Sequence, residues 1–146
     1  LLKDGRIEQI DAPAALYERP GTIFAARFLG QPPMNVLEID RLRGAATLGD
    51  ALPACPPGWM VGIRPEKLWI AEQGLAADVG AVDYMGAETV LRLRHEGMDL
   101  MLRVDGRAQA APGERVHVRW LAADVHVFDN QGMRRSGEGP PAPTPP

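Results

Sequence analysis

Cysteine, serine and aromatic side chains are scarce in this sequence. Of its 146 residues one is cysteine and one is serine, and the aromatics are three Phe, three Trp and two Tyr. A single cysteine cannot form an internal disulfide, and without paired cysteines there is no thiolate zinc site; both fit a reducing compartment. Cys55 lies in Pro53-Ala54-Cys55-Pro56-Pro57, a turn-prone stretch with no His or basic pair beside it to activate a thiolate. The lone serine, Ser136, sits in a proline-rich C-terminal segment, where nothing could hold it as a Ser/His/Asp nucleophile. No run of roughly 18 apolar residues occurs, so no segment reads as a membrane-spanning helix. The opening Leu1-Leu2-Lys3-Asp4 carries neither an initiator Met nor a signal peptide, and reads as cut from something longer. Neither charge is in excess: 16 Lys and Arg against 19 Asp and Glu leave a net −3. That is the wrong balance for a protein whose main task is gripping nucleic acid or an anionic membrane.

What the sequence has is enough apolar content for a core, 45%, and many turn formers, 16 Gly and 14 Pro. Short elements joined by many turns are expected, not a bundle of long helices. Residues 1–30 form a leader of their own kind. Asp4-Gly5 marks a tight turn and Arg6 to Ile10 the second arm of a hairpin, with Ile7 and Ile10 toward the core. Ala14 to Arg19 reads as a short helix after Asp11 and Pro13, with Leu16 and Tyr17 as its bulk. Thr22 caps a second helix through Leu29, Phe24 and Phe28 share one face, and Gly30 ends it. Gln31-Pro32-Pro33-Met34-Asn35 is a boundary, because two prolines suit neither a helix interior nor a central strand.

Beyond it the period changes to two. Val36 to Ile39 and Ala45 to Leu48 read as a hairpin across Arg43-Gly44. Further strands are expected at Trp59 to Arg64, Lys67 to Ile70, Ala76 to Tyr84, Glu88 to His95, Met98 to Val104, Arg115 to Trp120 and Val125 to Phe128. Leu91-Arg92-Leu93-Arg94 and Val116-His117-Val118-Arg119-Trp120 alternate cleanly, as in a small antiparallel barrel with one solvated face. Residues 133–146, with five prolines in the last seven and no bulky hydrophobe beyond Met133, read as a disordered tail.

The remaining chemistry is sparse. Period two puts His117 and His126 on the solvent side of their strands, and no Cys or carboxylate stands at ligand spacing from them or from His95. Asp124 and Asp129 read as turn-capping carboxylates, not an acid/base pair. A basic stripe of Arg92, Arg94, Arg103, Arg107, Arg115 and Arg119 raises oligonucleotide binding, but acidic groups outnumber it over residues 75–129. The stacking aromatics there reduce to Tyr84 and an inward Trp120. No G-x-x-x-x-G-K-[ST] phosphate loop occurs. From residues alone this is a barrel with a helical leader, a binding or regulatory module with no catalytic residues, no metal site and no cofactor of its own.

Several stretches, in this order, carry a resemblance: Lys3 to Ile10, Leu16-Tyr17-Glu18-Arg19-Pro20, Phe24 to Gly30, Pro32-Pro33-Met34-Asn35, Gly62-Ile63-Arg64-Pro65-Glu66, Tyr84-Met85-Gly86-Ala87-Glu88-Thr89 and Val125-His126-Val127-Phe128-Asp129. Together they resemble the C-terminal portion of the ATPase subunit of carbohydrate-type ABC importers, of the maltose and sn-glycerol-3-phosphate types. Asp11-Ala12 departs from the Gly-Thr usual in that family. The resemblance implies that residues 1–30 are the end of the nucleotide-binding domain and that 31–132 are an OB-like regulatory barrel, the TOBE domain. It implies that ATP and Mg belong to a nucleotide domain whose motifs this sequence does not contain. It implies a second copy as homodimer partner, permease subunits, a regulatory protein as a further partner, no nucleic acid, and a cytoplasmic place at the inner membrane face. Arg64 is expected to order nearby backbone or an acidic partner such as Glu66, with Pro65 fixing the bend. Gly86 should supply a left-handed turn, with Glu88 and Thr89 restarting the next strand. Asn35 closes the boundary motif, and Tyr84 opens the turn. Val36, Leu37, Trp59 and Trp69 are candidates for core or dimer seam. The alternatives are a stand-alone oligonucleotide-binding barrel and a small-anion sensor similar to molybdate-binding barrels.

Overall fold

The computed structural model describes residues 1–7 and 13–135. The Asp4-Gly5 turn joins β1 (Leu2–Lys3) to β2 (Arg6–Ile7), and both turn residues take positive φ, 51° and 76°. Ile7 is 65% exposed, not turned to a core. Both strands of the ribbon are exposed, so its alternation selects no buried face. Ile10 lies outside the described residues. Helices α1 (Pro13–Glu18) and α2 (Ile23–Phe28) follow. Thr22 accepts the Ala25 N–H on its hydroxyl at 3.1 Å, satisfying one of the orphan donors of the first turn of α2. Phe24 and Phe28 stack at 5.7 Å between ring centres.

The body is mainly β and antiparallel, two sheets wrapped around one core in an OB-like barrel. The smaller sheet orders β10 (His126–Phe128), β4 (Met60–Ile63) and β3 (Asn35–Glu38). The larger orders β5 (Trp69–Ala71), β9 (Arg115–Arg119), β6 (Leu75–Tyr84), β7 (Glu88–His95) and β8 (Met98–Asp105). Alternation sets the register. Val116 and Val118 turn inward, as do Leu91 and Leu93, and each should contribute about 1.5–3 kcal/mol before entropy is counted. Trp120, 2% exposed, is the largest buried side chain, and its indole N–H donates to the Ala51 carbonyl at 3.1 Å.

The ten-residue β6 serves two partners. Its first half pairs with β9, its second with β7, and the register slips at Gly80 between Val79 and Ala81. That bulge bends the strand from one neighbour to the other. Where β3 and β8 meet there is no continuous ladder. The Asn35 side chain stands in for one: its amide nitrogen donates to the Met101 carbonyl at 2.8 Å and its amide oxygen accepts the Met101 N–H at 2.7 Å.

Two expectations are corrected here. Residues 36–48 are not a hairpin: β3 ends at Glu38 and continues as α3 (Ile39–Leu42), then a 3-10 turn at Ala46–Ala51. Ile39 and Leu42, three apart, are both fully buried, and β3 takes its hydrogen bonds from β4 instead. The chain also stays ordered past 132. Met133 bridges Thr22, the Arg134 N–H donates to the Gly21 carbonyl at 2.8 Å, and the Arg135 N–H to the Val127 carbonyl at 2.9 Å. Main-chain pairing of this kind needs no bulky side chain, so composition did not reveal it. Residues 136–146 lie outside the described residues.

Candidate functional site

The densest polar chemistry among the described residues lies where the leader helices meet the barrel. Strand β4 delivers Arg64 beneath them, and Pro65 starts a 3-10 turn (Pro65–Lys67) that turns the chain away. The carbonyls in the last turn of a helix have no partner within it. Arg64 supplies partners to both helices at once. Its Nη1 donates to the Ala26 and Leu29 carbonyls at 2.9 and 2.7 Å, and its Nη2 to the Tyr17 carbonyl at 2.9 Å. The guanidinium carbon lies 4.0 Å from the centre of the Tyr17 ring. Arg64 is 3% exposed, and its Nε has no hydrogen-bond partner among the described residues. Burial pulls its pKa below the ordinary range while Tyr17 and Glu66 push it back up. A planar fork of five donors suits three diverging carbonyls; a lysine point charge would not.

Further polar contacts surround this fork. The Tyr17 hydroxyl donates to Glu66, and burial, then that bond, raises the phenol's pKa. Glu66 also faces Arg103 at 3.7 Å. Arg103 pairs with Glu88 at 3.4 Å and donates to the Gln31 carbonyl at 3.1 Å. Thus Arg64, Glu66 and Glu88 meet in one network through Tyr17 and Arg103, two residues the sequence did not single out as site residues. Arg64 does order backbone, but that of helices up to 47 residues upstream, and the partner that Glu66 takes by hydrogen bond is Tyr17.

His126 on β10 belongs to the same junction, which corrects its placement on the solvent side. It is part-buried, and Arg134 lies 2.7 Å from its Nδ1. Burial, then the positive charges of Arg134, Arg64 and Arg19, lowers its pKa to about 4. The ring is therefore neutral near pH 7, with Nδ1 free to accept from Arg134. Asp129 holds the returning segment. Burial raises its pKa, but the Met133 and Gln131 N–H groups and Arg135 outweigh that and hold the carboxyl below its usual range. An apolar patch completes the contact: Ala26 of α2 packs with Met34 and Phe128, all at most 3% exposed. A Cβ on Gly62 would fall within contact distance of Met34 and Phe128, so glycine there lets this patch sit directly on β4.

The other singled-out residues lie elsewhere. Tyr84, 47% exposed, and Gly86, with φ +93°, form the β6–β7 tip beside Met85, and the Arg107 guanidinium lies 4.2 Å from the Tyr84 ring centre. Thr89 is buried and accepts the Ala108 N–H while donating to the Gly106 carbonyl, which fastens the loop after β8. Trp59 packs partly buried on the core with Arg135 5.4 Å over its ring, and Leu37 is core. Val36 packs on the Met34–Phe128 patch. Trp69 is 40% exposed on the edge strand β5. The arginine stripe is largely neutralised in place. Arg115, Asp78, Arg94 and Asp99 form one alternating row across β9, β6, β7 and β8, with contacts of 3.2 Å and 3.1 Å, and Arg92 faces Asp83 at 3.8 Å. No group of His, Cys, Asp and Glu among the described residues could hold a metal ion. Burial raises the pKa of the Cys55 thiol, which disfavours the thiolate.

Comparison with known proteins places these features in a wider set. A family model described as the TOBE domain matches residues 61–128. The sn-glycerol-3-phosphate import ATP-binding protein UgpC of Rhizobium meliloti (strain 1021) is 37% identical over 142 residues, covering 92% of this chain and 41% of its own length. UgpC 3 of Agrobacterium fabrum (strain C58 / ATCC 33970) is 37% identical with the same coverage. UgpC of Cereibacter sphaeroides (strain ATCC 17023) is 38% identical, again over 92% of this chain and 41% of its own. The chain spans about two-fifths of the length of these relatives and matches their C-terminal part.

Proposed function

We propose that this chain, whose residues 61–128 belong to the TOBE domain family, is the C-terminal regulatory and dimerisation part of the ATP-binding subunit of an ABC importer for sugars or glycerol 3-phosphate. The observation that carries the reading is the collinear similarity over 92% of the chain to proteins named as sn-glycerol-3-phosphate import ATP-binding subunits. Residues 1–30 are read as the end of a nucleotide-binding domain. ATP and Mg are handled by the rest of that domain, and this chain contributes no catalytic group. Its partners are a second copy of the subunit, the permease subunits and a regulatory protein, at the cytoplasmic face of the membrane. No helix among the described residues is long and apolar enough to cross a membrane.

The physics of such a module is a coupling of equilibria. A partner that binds one arrangement of two subunits more tightly shifts the pair toward it by that difference in affinity. The barrel suits the task because its two sheets share one core, and because its leader is fastened to it by the hydrogen bonds of the buried Arg64. The test is a calorimetric titration of the chain with Mg-ATP. No binding heat is expected at micromolar nucleotide. A micromolar dissociation constant would contradict the division of labour proposed here.

A further inference from the structure

The resemblance and the proline boundary both draw the line between leader and barrel at Gln31. The structure argues for a different mechanical boundary. We infer that α1 and α2 are part of the barrel's rigid body, joined to it through Arg64, so that the mechanical boundary does not fall at Gln31. The inference goes beyond the function proposed above and does not depend on it.

Four sets of contacts carry it. The buried Arg64 fork holds the ends of both helices through the Tyr17, Ala26 and Leu29 carbonyls. The Tyr17 hydroxyl donates to Glu66, and Arg103 ties Glu66 on to Gln31 and Glu88. The segment 129–135 returns from β10 and pairs with residues 21–23: Arg134 N–H donates to Gly21 at 2.8 Å and Ile23 N–H to the Gly132 carbonyl at 3.0 Å. Ala26 fills the apolar patch with Met34 and Phe128. Lifting one helix alone would leave part of the Arg64 fork without its carbonyl partners while the other helix still covers it, so the two helices leave the barrel together or not at all. The β1–β2 ribbon differs: both its strands are exposed.

Amide hydrogen exchange of the intact chain tests this. The Arg19, Ala26 and Leu29 N–H groups donate to Ala15, Thr22 and Ala25 within the two helices. They should exchange within about threefold of the amides of β4 and respond to urea with the same slope, as members of one cooperative unit do. Six-residue helices that were merely docked would exchange about a hundredfold faster than β4, and that result overturns the inference. In Arg64→Lys the three helix amides should speed up by at least about tenfold while β6–β8 stay protected. Unchanged helix amides in that variant would also overturn it. If Arg64→Lys unfolds altogether, the wild-type comparison decides the matter, and Tyr17→Phe, which keeps the ring over the guanidinium, should still speed the helix amides selectively.

Discussion

Replacing Asn35 by Ala attacks a place where a side chain, instead of a ladder, joins β3 to β8. The substitution removes two hydrogen bonds, 2.8 and 2.7 Å long, and leaves the Met101 N–H and C=O without those partners. A made hydrogen bond contributes about 1 kcal/mol net, and an abandoned buried group costs about 1–3 kcal/mol. Asn35 is 6% exposed but Met101 is only part-buried, so water recovers some of the loss. The expected destabilisation is about 3 kcal/mol, a large share of the roughly 5–15 kcal/mol of a typical domain. Urea unfolding followed by tryptophan fluorescence measures it, with the buried Trp120 as reporter. Asn35→Asp sharpens the test, because the carboxylate keeps the Met101 N–H but repels the Met101 carbonyl. Its folded-state pKa is raised, so its relative stability is intact below the unfolded value of about 3.9 and falls as pH rises through the folded value. An Ala variant within about 0.5 kcal/mol of the parent would refute the reasoning. So would an Asp variant whose deficit does not shrink in acid.

The junction has its own pH signature. His126 has a folded pKa lowered to about 4 from 6.5, so its contribution is complete above 6.5 and is lost as pH falls toward 4. Allowing for part exposure, this amounts to about 2 kcal/mol, read as a drop in urea midpoint that His126→Gln should largely abolish. Gly74→Ala and Gly86→Ala should differ although both glycines have positive φ, 152° and 93°. A Cβ at Gly74 would collide with the Val118 carbonyl while one at Gly86 meets nothing, so about 1 kcal/mol is expected at Gly86 and more than about 2 kcal/mol at Gly74 by chemical denaturation. Gly62→Val should cost about 1–3 kcal/mol by forcing Met34 and Phe128 aside, with faster proteolysis ahead of Met34 as a second readout.

The strands after residue 60 were legible because their side chains alternate and glycines punctuate them. Glu88–His95 has the bounds expected although Val90 interrupts its alternation, and Met98–Asp105 runs one residue beyond the expected Val104. Alternation failed at 36–48, where Ile39 and Leu42 follow a helical spacing too short to outweigh the β-rich residues before it. Pattern reading treats each segment alone, so it could name Arg64 as a residue that orders backbone without finding which backbone. Tyr17, Ala26 and Leu29 are 35 to 47 residues away in sequence. His126 was misplaced for a related reason: its strand alternates correctly, but the returning segment covers the face that would otherwise meet water. The carboxylate of Asp129, which folds that segment back, reads in sequence as an ordinary turn residue.

Multi-angle light scattering on the purified chain, at about 100 μM and again after tenfold dilution, tests the proposed role most directly, because a pairing module must show its pairing as a concentration-dependent mass. The account predicts twice the 15.8 kDa of one chain at the higher concentration, falling toward one chain on dilution. A single-chain mass at both concentrations would contradict it.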